Sequence, residues 1–336
     1  MVDGILVTGG AGYIGSHVVK QLTANGEHVV VLDNLSTGFA DAVRDADLVV
    51  GDIADTGLVA ELLATHNVKS VMHFAAHTIV PESVSDPLKY YANNTCGALS
   101  LLRACAAQGV AHFVFSSTAA VYGLPAGGRA TEQSPTAPIN PYGTSKLMAE
   151  WMLRDLAAAG GIRHTTLRYF NVAGSDPDGD IGQCTENATL LIKVACETAV
   201  GKRPQLTLFG TDYATPDGTC IRDFIHVHDL ATVHLLALGY LRSGGESITL
   251  NCGYGRGYSV REVIAAVEKV HGSQLPVVES ARRPGDPPEL VADTSLLQQL
   301  FNWQPRYADL DTIVATSLRW EQHLLAIAQP RARPAC

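Results

Sequence analysis

The stretch Ile5-Leu6-Val7-Thr8-Gly9-Gly10-Ala11-Gly12-Tyr13-Ile14-Gly15 constrains this chain most, because an apolar run breaks into glycines and then turns helical. It reads as a strand, a phosphate-binding loop and the start of a helix. Gly9, Gly12 and Gly15, spaced three apart, allow a tight turn, close approach of the backbone to a pyrophosphate, and packing of the new helix on the strand. The helix N-terminus adds free N–H groups and a partial positive charge. Ile14, Val18, Val19 and Leu22 form a helical apolar stripe that Gly26 ends, and His28-Val29-Val30-Val31-Leu32-Asp33 reads as a second buried strand closing on an acid. Asp33 lies 21 residues past Gly12, where a carboxylate accepts both ribose hydroxyls of an adenosine. Its charge would repel a 2′-phosphate, which favours NAD over NADP.

The following stretches keep the same rhythm. The polar turn Asn34 to Gly38 either touches the adenosine end of a dinucleotide or is a solvated turn. A third strand, Leu48 to Val50, runs to Asp52, whose carboxylate could accept an adenine amino group. A helix over 58–65, a strand Ser70 to Phe74 ending at Ala75-Ala76-His77, a helix over about 94–108 and a strand His112 to Phe115 ending at Ser116-Ser117-Thr118 come next. A sixth strand covers His164 to Arg168. Strands alternating with helices at this spacing predict an α/β fold, a Rossmann-type doubly wound parallel sheet. After Gly174 the alternation stops in a loop, 175–185, rich in Asp and Gly. A helix over 188–200 and the strand Leu206 to Phe209 then begin a smaller C-terminal substrate-binding lobe. Arg222 to Asp229 is strand-like and runs into a helix to about Leu241, a strand covers 247–251, and Ser259-Val260-Arg261-Glu262 is a capping box opening a helix through Val270. The expected division is 1–174 for the NAD-binding domain, 175–325 mainly for the substrate, with some chain returning to the Rossmann sheet, and 326–336 as a disordered tail.

At 336 residues and 46% hydrophobic content the chain can bury a large core. Its net charge of −9, from 33 acids against 24 bases, repels nucleic acid and anionic membranes. A phosphorylated ligand must therefore be held by local arginines and backbone N–H groups. Seven scattered cysteines suggest reduced cytoplasmic thiols rather than a disulfide framework or a zinc site. No signal peptide or transmembrane helix is expected, and Cys336 does not form a prenylation box.

Asn140-Pro141-Tyr142-Gly143-Thr144-Ser145-Lys146 opens a helix that runs to about Ala159. Tyr142 and Lys146 stand four apart and share one face. With the glycine loop, and with Thr118 at the carboxyl end of a strand, they make a candidate catalytic group. His226 and His228 invite a metal reading, but their spacing lacks further ligands nearby, so no metal is expected. The loop Arg282-Arg283-Pro284-Gly285-Asp286-Pro287-Pro288 is either a surface linker or, with two arginines held by prolines, a diphosphate holder.

From roughly residue 4 to 325 the chain resembles the extended short-chain dehydrogenase/reductase family, and within it the members that invert C4 of a UDP-hexose. The resemblance rests on Thr8 to Gly15, Asp33-Asn34-Leu35, Ser116 to Gly123, Asn140 to Lys146, Arg168-Tyr169-Phe170-Asn171 and Arg222 to Val227, all in family order. It implies tightly bound NAD lined by Gly9, Gly12, Tyr13, Ile14, Gly15, Asp33, Asn34, Asp52, Ile53, Phe74, Ala75, Ala76, Thr78, Asn94, Lys146 and Phe170. It implies a UDP-sugar held by Thr118, Tyr142, Asn171, Leu190, Leu191, Thr207, Leu208, Phe209, Arg222, Arg283, Asp286 and Leu290. A homodimer is also implied. Thr78 stands where many members have a lysine, Thr118 where serine is commoner, Leu190 where a polar residue often meets the substrate, and Leu290 at a position that is bulky in glucose-specific members.

The implied reaction interconverts UDP-galactose and UDP-glucose through a transient 4-keto sugar. It needs a base, and free tyrosine, with a pKa of about 10, is protonated near neutrality. Lys146 and a positive nicotinamide are expected to favour the phenolate of Tyr142, while Thr118 bonds the sugar oxygen. Preference for a UDP-N-acetylhexosamine or a UDP-pentose is the alternative. A dehydratase would need an acid pair directly after Thr118, where Ala119 and Ala120 stand, and a plain reductase would not need Arg222 and Arg283.

Overall fold

A computed structural model describes residues 3–328 apart from Asn187 and Pro284. Strand β1 (Gly4–Thr8), helix α1 (Tyr13–Ala24), β2 (His28–Asp33), β3 (Asp47–Val50), α2 (Thr56–Thr65) and β4 (Val68–His73) form the first half of the nucleotide fold. Then come α3 (Val80–Ser85), α4 (Pro87–Tyr90), a π-helical segment (Tyr91–Gly97), α5 (Ala98–Ala107), β5 (His112–Thr118), β6 (Arg129–Ala130), α6 (Pro141–Ala158) and β7 (Arg163–Tyr169). The remainder is β8 (Asn171–Ala173), α7 (Leu191–Ala199), β9 (Leu206–Phe209), β10 (Ile221–His226), α8 (Val227–Arg242), β11 (Ile248–Cys252), β12 (Gly257–Ser259), α9 (Val260–His271), β13 (Val277–Ser280), β14 (Glu289–Ala292), α10 (Ser295–Phe301) and α11 (Leu310–Ala328).

Seven strands make one sheet in the order β11-β7-β5-β4-β1-β2-β3, with every pairing parallel. A wholly parallel sheet is covered on both faces, and the two-residue period of β1 shows it. Ile5 and Val7 face a core with Val18, Val19, Leu230 and Leu238 of α1 and α8, while Leu6 faces a second core with Val59, Leu101 and Leu153 of α2, α5 and α6. Chain order reverses between β1 and β4, so the crevice at their carboxyl ends is where a doubly wound sheet takes its ligand. Residues 227–252 return to this unit, since α8 packs on α1 and β11 forms an edge of the sheet.

A second sheet carries the other side of the crevice. Its order is β12-β10-β14-β6, with β8 also paired to β10. Strand β10 sets Arg222 opposite Leu290 and Phe224 opposite Asn171. Helices α7, α9 and α11 bury Ile192, Val263, Val267, Ile313 and Val314 around Leu208 and Phe224. Helix α11 continues through Ala328, which corrects the expectation of disorder from 326. Ala326 and Ala328 are strong helix formers and no proline intervenes before Pro330. Residues 329–336 of that tail lie outside the described residues.

Candidate active site

The glycine loop is shaped by close approach. Gly9 has φ +73°, and a Cβ there would lie 2.5 Å from the Ala75 nitrogen at the end of β4; a Cβ on Gly15 would lie 2.2 Å from the Gly9 carbonyl oxygen. Helix α1 begins without a side-chain cap or an acid in its first turn, so its leading N–H groups and dipole are open to an anion. The loop is held from outside by the Tyr13 hydroxyl, which donates to the Gly174 carbonyl at 2.6 Å. Asp33, buried at the end of β2, accepts from the Ala11 N–H (2.9 Å) and the Leu35 N–H (2.8 Å), leaving lone pairs on both oxygens. Asn34 donates to Asp52 at 2.9 Å. Ile53 packs inward beside Gly97, so only its backbone N–H, which meets no acceptor among the described residues, is left to face a ligand.

Asn94 takes a different part from the one expected. It is buried in the π-helical segment, and its amide is fully occupied by the protein. The carbonyl accepts from the His77 N–H (2.9 Å) and Asn93 (2.9 Å), and the NH2 donates to the His77 carbonyl (3.0 Å) and the Ser145 hydroxyl (3.1 Å). It therefore ties the loop after β4 to α6. Phe74 lies against His234 with ring centroids 4.8 Å apart, Ala75 and Ala76 are half-buried behind it, and Thr78 is exposed at the rim.

Helix α6 reaches the end of β5 because position 143 is glycine. Asn140 caps the helix by accepting from the Gly143 N–H at 2.8 Å, and a Cβ on Gly143 would stand 2.6 Å from the Ala120 carbonyl. Tyr142 is thereby set beside Thr118, whose hydroxyl accepts from the Ala120 N–H at 3.1 Å. The ring of Tyr142 meets the edge of buried Tyr90 at 6.4 Å and 83°. Burial pushes the Tyr142 hydroxyl up, with the neighbouring Thr118 hydroxyl pulling the other way. Burial pushes the Lys146 ammonium down to about 7, with Glu150 acting in the opposite sense. Lys146 donates to the Ser116 carbonyl at 2.8 Å and lies over the Phe115 ring. Its shared face with Tyr142 is observed, but its hydrogen bond goes to the backbone, so the chain by itself leaves Tyr142 protonated and the expected phenolate needs a further positive charge.

A buried network beneath α6 escapes the sequence reading. Glu150 pairs with Arg168 through Oε1 (3.0 Å) and Oε2 (2.6 Å) and also accepts from Ser117. Arg168 donates on to the Tyr122 hydroxyl (2.9 Å), which donates to Asn251 (2.7 Å). The available signal was Arg168 itself, a charge in an otherwise buried strand, with Glu150 one helical turn after Lys146.

The second lobe gathers the remaining residues. Asn171, Leu190 and Leu191 line one small cavity together with Lys193, Trp320 and Glu321, of which the last three were not foreseen. Thr207 and Phe209 are half-buried and face outward, whereas Leu208 alternates into the core and is 1% exposed. That corrects the expectation for the Leu208 side chain, because strand periodicity leaves it only its backbone to offer. Arg283 stacks over Phe209 at 3.8 Å, and Arg222 stands 3.6 Å from Asp286. Leu290, like Phe170, packs on a small core of Ala119, Val121, Tyr122, Ala130 and Leu147, which puts it next to the β5 turn.

A glycine-cradled helix start, an acid closing β2, and a Tyr/Lys pair beside a strand-end threonine define a nucleotide-dependent enzyme of the short-chain dehydrogenase type. Residues 5–253 match the NAD dependent epimerase/dehydratase family, and the chain belongs to it. It is 56% identical to the UDP-glucose 4-epimerase of Azospirillum brasilense over 95% of this chain and 92% of that protein. The crystal structure of UDP-glucose 4-epimerase from Brucella ovis in complex with NAD superposes with a TM-score of 0.92 at 46% identity, over 94% of this chain and 98% of that one. The UDP-Glc/GlcNAc 4-epimerase from Campylobacter jejuni is 48% identical with a TM-score of 0.84, over 96% and 99% of the two chains.

Proposed function

We propose that this chain is an isomerase that interconverts UDP-galactose and UDP-glucose by inverting C4 of the sugar, with NAD as its resident cofactor. The observation that carries the reading is the convergence of Tyr142 and Thr118, with Lys146 one turn on, at the carboxyl ends of the sheet where the crevice opens. NAD fits the residues present: the loop has no room for a Cβ at Gly9 or Gly15, α1 starts uncapped, and Asp33 offers free lone pairs. Gly12 to Gly15 would hold the pyrophosphate, Asp33 and Asn34 the adenosine ribose, Asp52 and the Ile53 N–H the adenine, and Phe74 to Ala76, Thr78, Lys146 and Phe170 the nicotinamide half. When bound, NAD supplies a hydride acceptor and donor, and a positive charge that favours the Tyr142 phenolate.

The chain's own residues do the proton work. Tyr142 takes the proton of the C4 hydroxyl and returns it, general base and then general acid at one atom. Thr118 bonds the same sugar oxygen. Lys146, held in place by the Ser116 carbonyl, adds positive charge behind the phenol. Arg222, Arg283, Asp286, Asn171, Leu190, Leu191, Thr207, Phe209 and the backbone at Leu208 hold the UDP while the transient 4-keto sugar turns over. There is no net redox change, so the cofactor stays bound. Elimination chemistry is disfavoured by the turn after Thr118, where Ala119 and Ala120 supply no acid or base.

A second reading, preference for a UDP-N-acetylhexosamine, is favoured by Leu290, a medium-sized apolar side chain on the same small core as Phe170, and by the likeness to the Campylobacter enzyme. We assign the cofactor to residues 1–174 with the returning segment 227–252, and the UDP-sugar mainly to the rest of 175–325. A homodimer is supported by exposed Val84, Leu88, Leu99 and Trp151 on α3 to α6, an apolar surface a second copy would cover. A cytoplasmic setting is supported by six free cysteines among the described residues, where no helix is long and apolar enough to cross a membrane.

Purified protein incubated with UDP-galactose and no added NAD should produce UDP-glucose, followed by the anomeric proton signals. No conversion of UDP-galactose, UDP-N-acetylgalactosamine or UDP-xylose, with NAD shown to be bound, would sink the proposal.

A further inference from the structure

The far end of the sheet carries a group of side chains that this chemistry does not use. His28 is the first residue of β2, Asp47 the first of β3, and His66 follows the last residue of α2. Strand register brings them together. Asp47 pairs with Val30, two residues after His28, so by strand periodicity His28, Val30 and Asp47 project on one face of the sheet. Val30 packs in the core under α2, so this is also the face where α2 ends at His66. One ligand atom from each of the three lies within 4.8 Å of the others. His28 Nε2 and Asp47 Oδ2 are 4.0 Å apart, and the two imidazole rings have centroids 5.6 Å apart.

Gly4 makes the approach of the rings possible. It is the register partner of His28 on β1, and a Cβ there would stand 2.5 Å from the His66 carbonyl oxygen and 3.5 Å from His28 Nδ1. The His28 ring therefore rests with Nδ1 over the glycine while Nε2 is turned toward Asp47. The left-handed Asn67, at φ +46°, turns the chain back into β4 directly after His66.

We infer that His28, Asp47 and His66 form a binding site for a divalent first-row transition ion, zinc above all, at the amino edge of the sheet. Two imidazoles and one carboxylate are a nitrogen-rich donor set that suits zinc, whereas magnesium and calcium demand oxygen. Ligands about 2.0–2.1 Å from one zinc are roughly 3.3 Å from each other, so the three side chains must close by up to about 1.5 Å. Half-exposed His28 and exposed Asp47 can do so by side-chain rotation alone. Solvent fills the fourth position. The ion would join β2, the edge strand β3 and the α2–β4 corner, and act on stability rather than on the reaction. The sequence hides this site, because the three residues are far apart along the chain and follow no ligand spacing.

The test uses tag-free, NAD-loaded protein freed of metal by a chelator and then dialysed against Zn2+ or Co2+. One equivalent of zinc should bind and raise the thermal midpoint by about 3 °C at saturation. His28→Gln, Asp47→Asn and His66→Gln should each weaken binding more than about tenfold and abolish the rise, with epimerase turnover and the metal-free midpoint unchanged. Absence of binding at submillimolar zinc would overturn the site, as would binding that all three variants retain. A thiolate-to-cobalt charge-transfer band would do the same, since it would place the ion on cysteine.

Discussion

Tyr142 and Gly143 are adjacent in sequence and do different work. The phenol is the group that exchanges a proton, while the glycine lets α6 stand against the Ala120 carbonyl, where a Cβ would lie only 2.6 Å away. Tyr142→Phe should keep fold, thermal midpoint and bound NAD while turnover drops by about 10²–10⁴, the usual worth of a positioned base, as measured by initial rates alongside the cofactor content. Near-normal rates would remove Tyr142 from the reaction. Gly143→Ala should push the helix start away from backbone that cannot yield, and a misplacement of about 1 Å is enough to cost on the order of 10²-fold in kcat. An unchanged kcat there would show that α6 tolerates the shift. At this scale the sequence was most legible where chemistry demands a particular residue type: the glycines, Asp33, and Tyr142 with Lys146. It was least legible where a residue serves another residue, because Glu150 and Asn94 act through partners well separated along the chain, Arg168 and Ser145.

Elements show the same division. The buried strands, the capping box at Ser259 and the strand Leu206–Phe209 were readable, since apolar periodicity and caps are local. The second sheet was not, because β6, β8 and β12 have two or three residues each and no periodicity to read. The expected ordinary helix over about 94–108 is π-helical in its first turn, within the segment Tyr91–Gly97, and the wider turn lets Asn94 reach both His77 and Ser145. Asn94→Ala removes all of these bonds and strands buried groups, so it should cost about 1–3 kcal/mol, read as a lower denaturant midpoint at unchanged slope. Loss of retained NAD should accompany it, because the loop after β4 forms one wall of the crevice. Full stability of the variant would mean that solvent replaces the amide at no cost.

Across the whole molecule, five buried histidines stand on α1, β4, β7, β10 and α8, and all are pushed below their ordinary value by burial. His73 and His226 fall to about 3, and His17, His164 and His234 to about 4. His226 illustrates why: its Nδ1 accepts from the His228 N–H at 3.1 Å and its Nε2 meets the Thr316 hydroxyl at 3.0 Å, an arrangement made for the neutral ring and one that leaves no lone pair for a metal. The sign follows from proton counts. Below about 6.5 the unfolded chain takes up protons at these five positions while the folded chain does not, so stability present above that value is lost as pH falls toward 4, at about 1.4 kcal/mol per pH unit for each histidine. Asp223 opposes this, since burial raises its carboxyl to about 6 and the folded state then holds the extra proton, but it is one group against five. Native proteins are stable by only about 5–15 kcal/mol, so the thermal midpoint followed by circular dichroism should be level near neutrality and fall steeply between about pH 6 and pH 4.5. Replacing His234 with Gln, which keeps a polar group for Tyr169 and the Leu230 carbonyl but cannot titrate, should flatten part of that fall. A midpoint that stays level to about pH 4.5 in the unmodified chain would show that these rings accept protons without leaving their places.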